Sequence, residues 1–365
     1  MFYKKIVKPI FFNMDPEKAH HVTINGMSLA NKIPGALSLL NGLYGVPEKK
    51  ELSQKLWNIN FSNPVGLAAG LDKNAVAVQG FSSIGFGFME VGTVTPKGQP
   101  GNEQPRLFRL PSDKALINRM GFNNLGVDSM AHHLQKVYTK KVPIAVNIGK
   151  NKITPNEEAV KDYQVCIQRL YSYGDFFVVN ISSPNTPNLR QLQHGEELNQ
   201  LLQTVTDEMS IQHQKSGKEA KPVLVKIAPD LSDEELEMTI QSILKHQISG
   251  VIATNTTLSR DGLLHTHARE TGGLSGKTLF HPSTEIIRKI YKISKGKIPI
   301  IGSGGIFTAE DAYEKILAGA SLVEIYTSLI YKGPSVIREI NAGLLNLLKN
   351  DGFTNISEAV GAEHK

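Results

Sequence analysis

Residues 176–187 of this chain read Phe-Phe-Val-Val-Asn-Ile-Ser-Ser-Pro-Asn-Thr-Pro, and this stretch decides the fold prediction. The four large apolar residues at its start are typical of a buried strand. Pro184 ends the strand pattern, because proline has no N–H to donate to a ladder. Two amides and three hydroxyls surround this end. Ordinary turns also use such residues. Because α/β enzymes keep their chemistry at the carboxyl ends of parallel strands, we interpret the stretch as part of a functional site.

Seven further apolar runs of similar length alternate with helical stretches. The eight runs are Val65–Leu71, Phe88–Val94, Ile144–Ile148, Phe176–Ile181, Val223–Ile227, Gly250–Ala253, Ile298–Ile301 and Leu322–Tyr326. The intervening helices are predicted at Ala159–Tyr171, Glu196–Met209, Ser232–Lys245, Pro282–Ile293 and Ala309–Leu317. Repeated βα units predict an α/β fold, a (β/α)8 TIM barrel whose active site lies on the loops after the strands. A doubly wound open sheet is the alternative topology.

Composition excludes several classes of protein. The single cysteine, Cys166, rules out an internal disulfide and a zinc cluster. His265 and His267 have no matching third ligand nearby, so we expect no metal. The net charge of +6 is modest for 365 residues, and we expect no nucleic-acid partner. No window has the roughly 20 apolar residues of a membrane span, and no signal peptide is visible. We therefore expect a soluble or peripheral protein.

Residues 1–46 differ from the rest of the chain. Asp15-Pro16-Glu17 is a strong helix start, and the apolar stripe that follows ends at Pro34-Gly35. A second short helix is predicted at Ala36–Tyr44. The segment is either a helical hairpin packed on the barrel or an amphipathic module whose lysines favour anionic headgroups. The predicted organisation is thus a helical module at 1–46 and a barrel at 47–365.

Two segments interrupt the βα repeat. Arg106–Asn118 is predicted to form an inserted hairpin, with its turn at residues 111–114. The loop Thr257–Gly276 is long enough to be a lid or a wall of a cofactor site.

The predicted strand ends select a mostly uncharged set of side chains. They include Lys73 and Lys226, several amides and hydroxyls, and one acid, Asp72. Such a set suits a planar, anionic, hydrogen-bonding ligand and excludes hydrolysis by a carboxylate pair. The glycine loop at residues 302–306, followed by a helix, predicts a phosphate site together with Tyr326-Thr327. A tight turn without a ligand is the simpler alternative.

Several long motifs in order resemble the dihydroorotate dehydrogenase family, and within it the membrane-associated, quinone-reducing class (class 2). The motifs cover residues 63–74, 90–96, 118–123, 180–186, 254–256, 271–276 and 301–306. The resemblance runs nearly the whole chain. It implies oxidation of dihydroorotate to orotate in pyrimidine biosynthesis, with one FMN per chain and a membrane quinone as the acceptor.

The resemblance also assigns roles to residues. It implies that Ser183 is the general base, with Thr186 and Phe122 in its proton relay. It places substrate contacts at Lys73, Asn118, Arg119, Met120, Gly121, Phe122, Asn180, Asn185, Asn255 and Thr256. It places FMN contacts at Ala69, Gly70, Leu71, Asp72, Lys73, Thr93, Asn147, Asn180, Lys226, Thr254, Gly276, Gly305, Tyr326 and Thr327. A quinone tunnel is expected at His20, Arg106 and Tyr326.

The class follows from two features of the resemblance. Cytosolic relatives are expected to use cysteine as the base, whereas Ser183 stands here, and the quinone class carries an N-terminal helical extension. We therefore expect a monomer bound peripherally to the cytoplasmic side of the cell membrane. Met120 replaces a tyrosine of some relatives and changes the expected polarity of the tunnel. There are two alternative hypotheses. One keeps the flavin barrel with a soluble electron acceptor, and the other is a non-redox barrel that binds a phosphate ligand.

Overall fold

The computed structural model describes residues 3–137 and 142–365 and contains a closed barrel of eight parallel strands. We label these strands β1 (Val65–Leu67), β2 (Phe88–Val94), β3 (Ile144–Ile148), β4 (Phe176–Asn180), β5 (Val223–Ile227), β6 (Gly250–Ala253), β7 (Ile300–Ser303) and β8 (Ala320–Ile325). Each strand pairs with its neighbours in the chain, and β8 closes on β1. The TIM barrel prediction is confirmed, and the open sheet is excluded.

The predicted strand bounds needed three adjustments. Strand β1 stops at Leu67, four residues early, since the chain then turns across the barrel end and Ala69 N donates to the Glu90 carboxylate (2.9 Å). Strands β7 and β8 are each shifted by about two residues from the predicted runs. Their apolar runs extend into the connecting loops, so hydrophobicity alone did not mark the ends.

An aromatic cluster closes the amino-terminal end of the barrel. A short hairpin, Gln54–Leu56 with Ile59–Phe61, brings Phe61 against Phe88 and Phe176, with ring centroids 5.6 and 6.3 Å apart. Trp57 Nε1 donates to Ser249 O (2.8 Å) and lies over the same cluster. This end is filled with side chains, so a ligand can enter the barrel only from the carboxyl ends of the strands.

Helices surround the barrel and bury one face each against it. They are Val78–Ser82, Val127–Gln135, Ala159–Leu170, Gly195–Ser216, Asp233–Lys245, Phe280–Ser294, Ala309–Leu317, Thr327–Lys332, Ser335–Asn350 and Ile356–Ala359. The helix predicted at Glu196–Met209 runs on to Ser216, because the first residue that favours the left-handed conformation is Gly217 (φ 62°). Cys166 is buried in its helix.

The N-terminal segment forms helices α1 (Lys8–Asn13), α2 (Pro16–Ala30) and α3 (Ala36–Tyr44), after a π-helical turn at Tyr3–Val7. Asp15 caps α2 as predicted and accepts from the backbone N–H of Glu17 and Lys18. Among the described helices, none is long and apolar enough to cross a bilayer. Large apolar side chains are nevertheless exposed here, at Ile6, Ile10, Val22, Leu29, Ile33, Leu39 and Leu43.

The inserted hairpin is present and joins a larger sheet. Its strands are Leu107–Leu110 and Ala115–Asn118, which pair with each other. The second of them also pairs with Gly273–Gly276 from the long loop after β6. A second pair of short strands, Lys97–Gln99 and Asn124–Gly126, flanks it. This sheet and helices α1–α3 stand beside the carboxyl ends of the barrel strands.

Candidate active site

A main cavity of about 1220 Å³ opens at the carboxyl ends of the barrel strands. Most of the predicted site residues line it, although they come from widely separated parts of the chain. They are His20, Ala69, Gly70, Lys73, Thr93, Asn118, Met120, Gly121, Phe122, Asn180, Ser183, Asn185, Lys226, Thr254, Asn255, Thr256, Gly276, Gly305, Tyr326 and Thr327. The strand-end rule and the family resemblance together therefore selected residues that the fold brings together.

Ser183 lies in the main cavity in an uncharged setting. Its Oγ accepts from the backbone N–H of Asn185 (3.2 Å), and the Asn185 side chain donates to Asn118 O (3.0 Å). Thr186 is buried three residues away, and its Oγ1 has no hydrogen-bond partner within the described chain. A buried hydroxyl without a protein partner can bond to a water molecule. The Ser183 hydroxyl thus has amide neighbours, and a hydroxyl without a partner follows it by three positions along the chain.

Side-chain amides form a hydrogen-bonded layer across the cavity floor. Asn180 Nδ2 donates to Thr93 Oγ1 (2.9 Å), and Thr93 Oγ1 donates to Asn147 Oδ1 (2.5 Å). Asn255 Nδ2, after β6, donates to Ser182 Oγ (2.9 Å), after β4. Asn147 itself is fully buried behind Thr93 and does not line the cavity. Such cross-linked amides have fixed orientations and can read both edges of a planar ring.

The glycine loop at the end of β7 has the form of an anion cradle. Gly304 and Gly305 have φ of 114° and 74°, and a Cβ on Gly305 would lie 2.4 Å from Phe280 Cα. Only glycine therefore fits at Gly305, where the backbone lines the cavity. Behind the loop, Lys315 is buried and donates to the Ser283 and Thr284 hydroxyls, and burial lowers its pKa to about 7.

A second, apolar cavity of about 950 Å³ lies between helices α1–α3 and the barrel. Its lining includes Phe11, Phe12, Ala19, Met27, Leu40, Leu71, Phe81 and Leu329. Four residues, His20, Leu107, Leu116 and Tyr326, line both cavities and form their shared wall. Burial, helped by nearby Lys73, lowers the pKa of His20 to about 2, so this imidazole is neutral. The wall between the cavities is thus largely uncharged.

The sequence matches the profile of the dihydroorotate dehydrogenase family over residues 51–348. The chain belongs to the dihydroorotate dehydrogenase family. A protein of Deinococcus deserti named dihydroorotate dehydrogenase (quinone) is 51% identical over 361 residues, covering 99% of each chain. Its namesake from Christiangramia forsetii is 52% identical over 343 residues, covering 94% of this chain and 98% of that one.

A solved structure of the family has the same architecture. The ligand-free dihydroorotate dehydrogenase of Eimeria tenella superposes with a TM-score of 0.88 at 40% identity, covering 96% of this chain and all of that one. The structure of the same enzyme in complex with ferulenol gives a TM-score of 0.87, with 96% of each chain covered. Both comparisons support membership of this family of oxidoreductases.

Leu71 and Asp72 were expected to contact the cofactor, but they do not line the main cavity. Leu71 lines the apolar cavity and not the main one. Asp72 is buried, and its carboxylate accepts from Val76 N (2.9 Å) and Ala77 N (2.8 Å). Burial raises the pKa of Asp72, and the two N–H donors oppose that rise. Asp72 therefore shapes the loop after β1 instead of lining the cavity.

Two predicted arginines also point away from the cavities. Arg119 pairs with Glu270 (2.7 Å) on the long loop after β6. Arg106 lines neither cavity, because its guanidinium forms an ion pair with Glu17 (2.7 Å). The arginine of the apolar cavity is Arg109, which donates to Phe11 O (2.6 Å) and Met14 O at the end of α1. Arg109, and not Arg106, is therefore the arginine of the hairpin that lines the apolar cavity.

Met120 was expected to alter the tunnel, but it lines the main cavity and does not line the apolar one. Within the described residues, no group of three His, Cys, Asp or Glu side chains is arranged to hold a metal. His265 and His267 contact each other on the long loop, where His265 accepts from His267 N.

Sequence reasoning missed two acids next to Lys226. Its Nζ lies 2.6 Å from Glu90 Oε2 and 3.4 Å from Glu324 Oε2. Burial opposes the charge on Lys226, but attraction to Glu324 and Glu90 outweighs it and raises the lysine pKa. Glu324 follows Leu322 by two positions, and Leu322 faces the barrel interior. The two-residue period of a strand could therefore have placed Glu324 inside the barrel.

Proposed function

We propose that this chain oxidises dihydroorotate to orotate in pyrimidine biosynthesis, with FMN as the cofactor and a membrane quinone as the electron acceptor. One observation carries the proposal. The polar cavity that contains Ser183 and the apolar cavity under helices α1–α3 share a single wall. A reaction with a polar donor and a lipid-soluble acceptor needs two such sites with a redox group between them.

The donor set of the main cavity fits one FMN. When bound, FMN accepts a hydride and passes electrons on. Gly276, Gly305 and Thr327 would hold its phosphate, since the loop at Gly305 leaves no room for a side chain. Ala69, Gly70, Thr93, Asn180, Thr254 and Tyr326 would surround its rings, with Asn147 supporting Thr93. Lys226 would place positive charge beside the reduced cofactor.

The residues around Ser183 would hold the substrate and remove its proton. Asn118, Asn180, Asn185, Asn255 and Thr256 would bind the edges of the pyrimidine ring, and Lys73 would attract its carboxylate. The Ser183 Oγ would take the proton from C5 of dihydroorotate. A serine is a weak base unless its own proton can leave. The Thr186 hydroxyl, which has no hydrogen-bond partner within the described chain, supports a relay through water, with Phe122 as the other proposed member.

The apolar cavity would receive the quinone, with His20, Arg109 and Tyr326 as its polar contacts. Residues 1–46 would act as the membrane module. Its exposed apolar side chains, together with Lys4, Lys5 and Lys8, support binding to an anionic bilayer surface. We infer a monomer bound peripherally on the cytoplasmic side of the cell membrane.

The proposal is tested with the purified protein under anaerobic conditions. We expect a yellow protein whose flavin absorbance bleaches on adding dihydroorotate and recovers on adding a short-chain quinone. A colourless protein that does not take up FMN would refute the cofactor assignment. Recovery with fumarate or NAD, but not with the quinone, would refute the acceptor assignment.

A further inference from the structure

Two buried carboxylates share one ammonium group at the inner end of the main cavity, which Lys226 and Glu324 line. Lys226 Nζ contacts both Glu90 (2.6 Å) and Glu324 (3.4 Å), and neither glutamate side chain has any exposed surface. If all three groups were ionised, this triad would carry a net negative charge inside the barrel. A buried charge without a partner is strongly unfavourable. One additional proton makes the triad neutral.

The hydrogen bonds indicate which glutamate carries that proton. Glu90 Oε1 accepts from Asn147 Nδ2 (2.6 Å), and Glu90 Oε2 accepts from Ala69 N (2.9 Å) and from Lys226. Three donors stabilise an ionised carboxylate. The contact of Glu324 with Lys226 is longer, its carboxyl group also lies next to that of Glu90, and its Oε1 is buried without a partner within the described chain. The environment of Glu324 thus favours the neutral acid.

We propose that Glu324 is a positioning residue, held as a neutral carboxylic acid, which keeps the triad uncharged and holds Lys226 at the cofactor. The charged groups that face it are Glu90 on β2 and Lys226 on β5. Burial and the charge of Glu90 raise the pKa of Glu324 well above its usual range, and Lys226 offsets this only in part. The naming of the cofactor as FMN rests on the proposed function; the protonation state of Glu324 does not.

A neutral Glu324 has a consequence for the cofactor. The positive charge of Lys226 is then balanced by one carboxylate and not by two. An ionised Glu324 would cancel more of the positive potential that favours an anionic reduced cofactor. The protonated acid thereby raises the tendency of the bound cofactor to accept electrons.

Infrared difference spectroscopy of the full-length protein tests the protonation state. We expect a carbonyl band of a protonated carboxyl group near neutral pH, shifted in D2O and absent in Glu324→Gln. The band should persist in Asp72→Asn, which removes another buried acid whose pKa is raised. The band should also move in wild-type protein labelled with ¹³C-carboxyl glutamate. This shift assigns the band to a glutamate even if the Glu324→Gln variant does not fold. An unchanged spectrum in the labelled protein would overturn the proposal.

The midpoint potential of the bound flavin supplies a second readout. We expect the same potential in Glu324→Gln as in wild type, because a neutral amide replaces a neutral acid. A rise in the variant would show that a negative charge had been removed and would overturn the proposal. Lys226→Gln is the control, since loss of the ammonium should lower the potential. Neither readout uses dihydroorotate or quinone, so failure of the proposed reaction would leave both interpretable.

Discussion

Glu17 on helix α2 and Arg106 at the start of the inserted hairpin form a buried ion pair with Nη2 and Oε1 2.7 Å apart. Arg106 Nη1 also donates to Pro100 O and Asn102 O, both at 2.7 Å. The amide of Asn102 in turn donates to Asn185 O (3.1 Å) on the loop after β4. Helix α2 is thereby connected, through Arg106 and Asn102, to the loop that contains Ser183.

Substitution Glu17→Gln should loosen α2 from the barrel. It leaves Arg106 buried without its carboxylate, and breaking a buried pair in this way costs about 3–5 kcal/mol. We expect a lower free energy of unfolding and a large loss of quinone-dependent turnover. Lys18→Gln, on the exposed side of the same helix, is the matched control. Full quinone turnover in Glu17→Gln would show that this pair does not hold the apolar cavity together.

Removal of the Ser183 hydroxyl tests the base. Positioned general bases contribute about 10²–10⁴-fold to rate, so Ser183→Ala should slow flavin reduction by dihydroorotate by a factor in that range. Stopped-flow absorbance measures the step directly. FMN content and orotate affinity should match wild type, because within the described chain the Ser183 hydroxyl bonds to Asn185 N. An unaltered reduction rate would remove Ser183 from the mechanism.

The binding of anionic ligands should depend on pH through Lys73. Burial lowers its pKa to about 8, with Glu17 opposing the shift. The ammonium that attracts a carboxylate is therefore lost as pH rises through about 8. We expect orotate affinity, followed by flavin spectral changes, to fall progressively above that pH. Lys73→Arg should abolish this fall, since arginine stays charged. A decline that is the same in both proteins would assign the titration to another group.

We expect the aromatic cluster at the closed end of the barrel to contribute to the free energy of unfolding and not to turnover. Phe61 is fully buried against Trp57, Phe88 and Phe176. Phe61→Ala should lower the free energy of unfolding by about 3–5 kcal/mol, measured by denaturant titration. Phe61→Leu, which leaves a smaller cavity, should cost less. The turnover of each folded molecule should be unchanged, and a selective loss of turnover would contradict the separation of the two ends.

The barrel was predictable from sequence because parallel strands are buried on both faces. Runs such as residues 176–179 are therefore apolar throughout, and their ends are marked by the first polar residues. The same rule found Ser183, Lys226 and Asn255. It failed for Asp72, which lies in the loop after β1 and accepts hydrogen bonds from that same loop. The pattern of apolar residues in the sequence does not predict local hydrogen bonds of this kind.

Contacts between distant segments explain the other misses. Glu17 and Arg106 are 89 positions apart, and sequence offers no sign that they pair. Within the hairpin, Leu107 and Arg109 share one face because strand side chains alternate, and Arg109 is directly opposite Leu116. Arg106 precedes the strand, so this alternation does not determine where its side chain lies. The register of the hairpin, known only from the fold, therefore decides which arginine reaches the apolar cavity.

The shared wall of the two cavities has an evolutionary implication. Two of its four residues, Leu107 and Leu116, belong to the inserted hairpin, and His20 belongs to α2. In the proposed function, the electron-acceptor side is thus built from additions to the barrel, whereas the dihydroorotate side is built largely from the ends of its strands. We infer that evolution can replace the acceptor by changing these peripheral pieces without altering the strand ends.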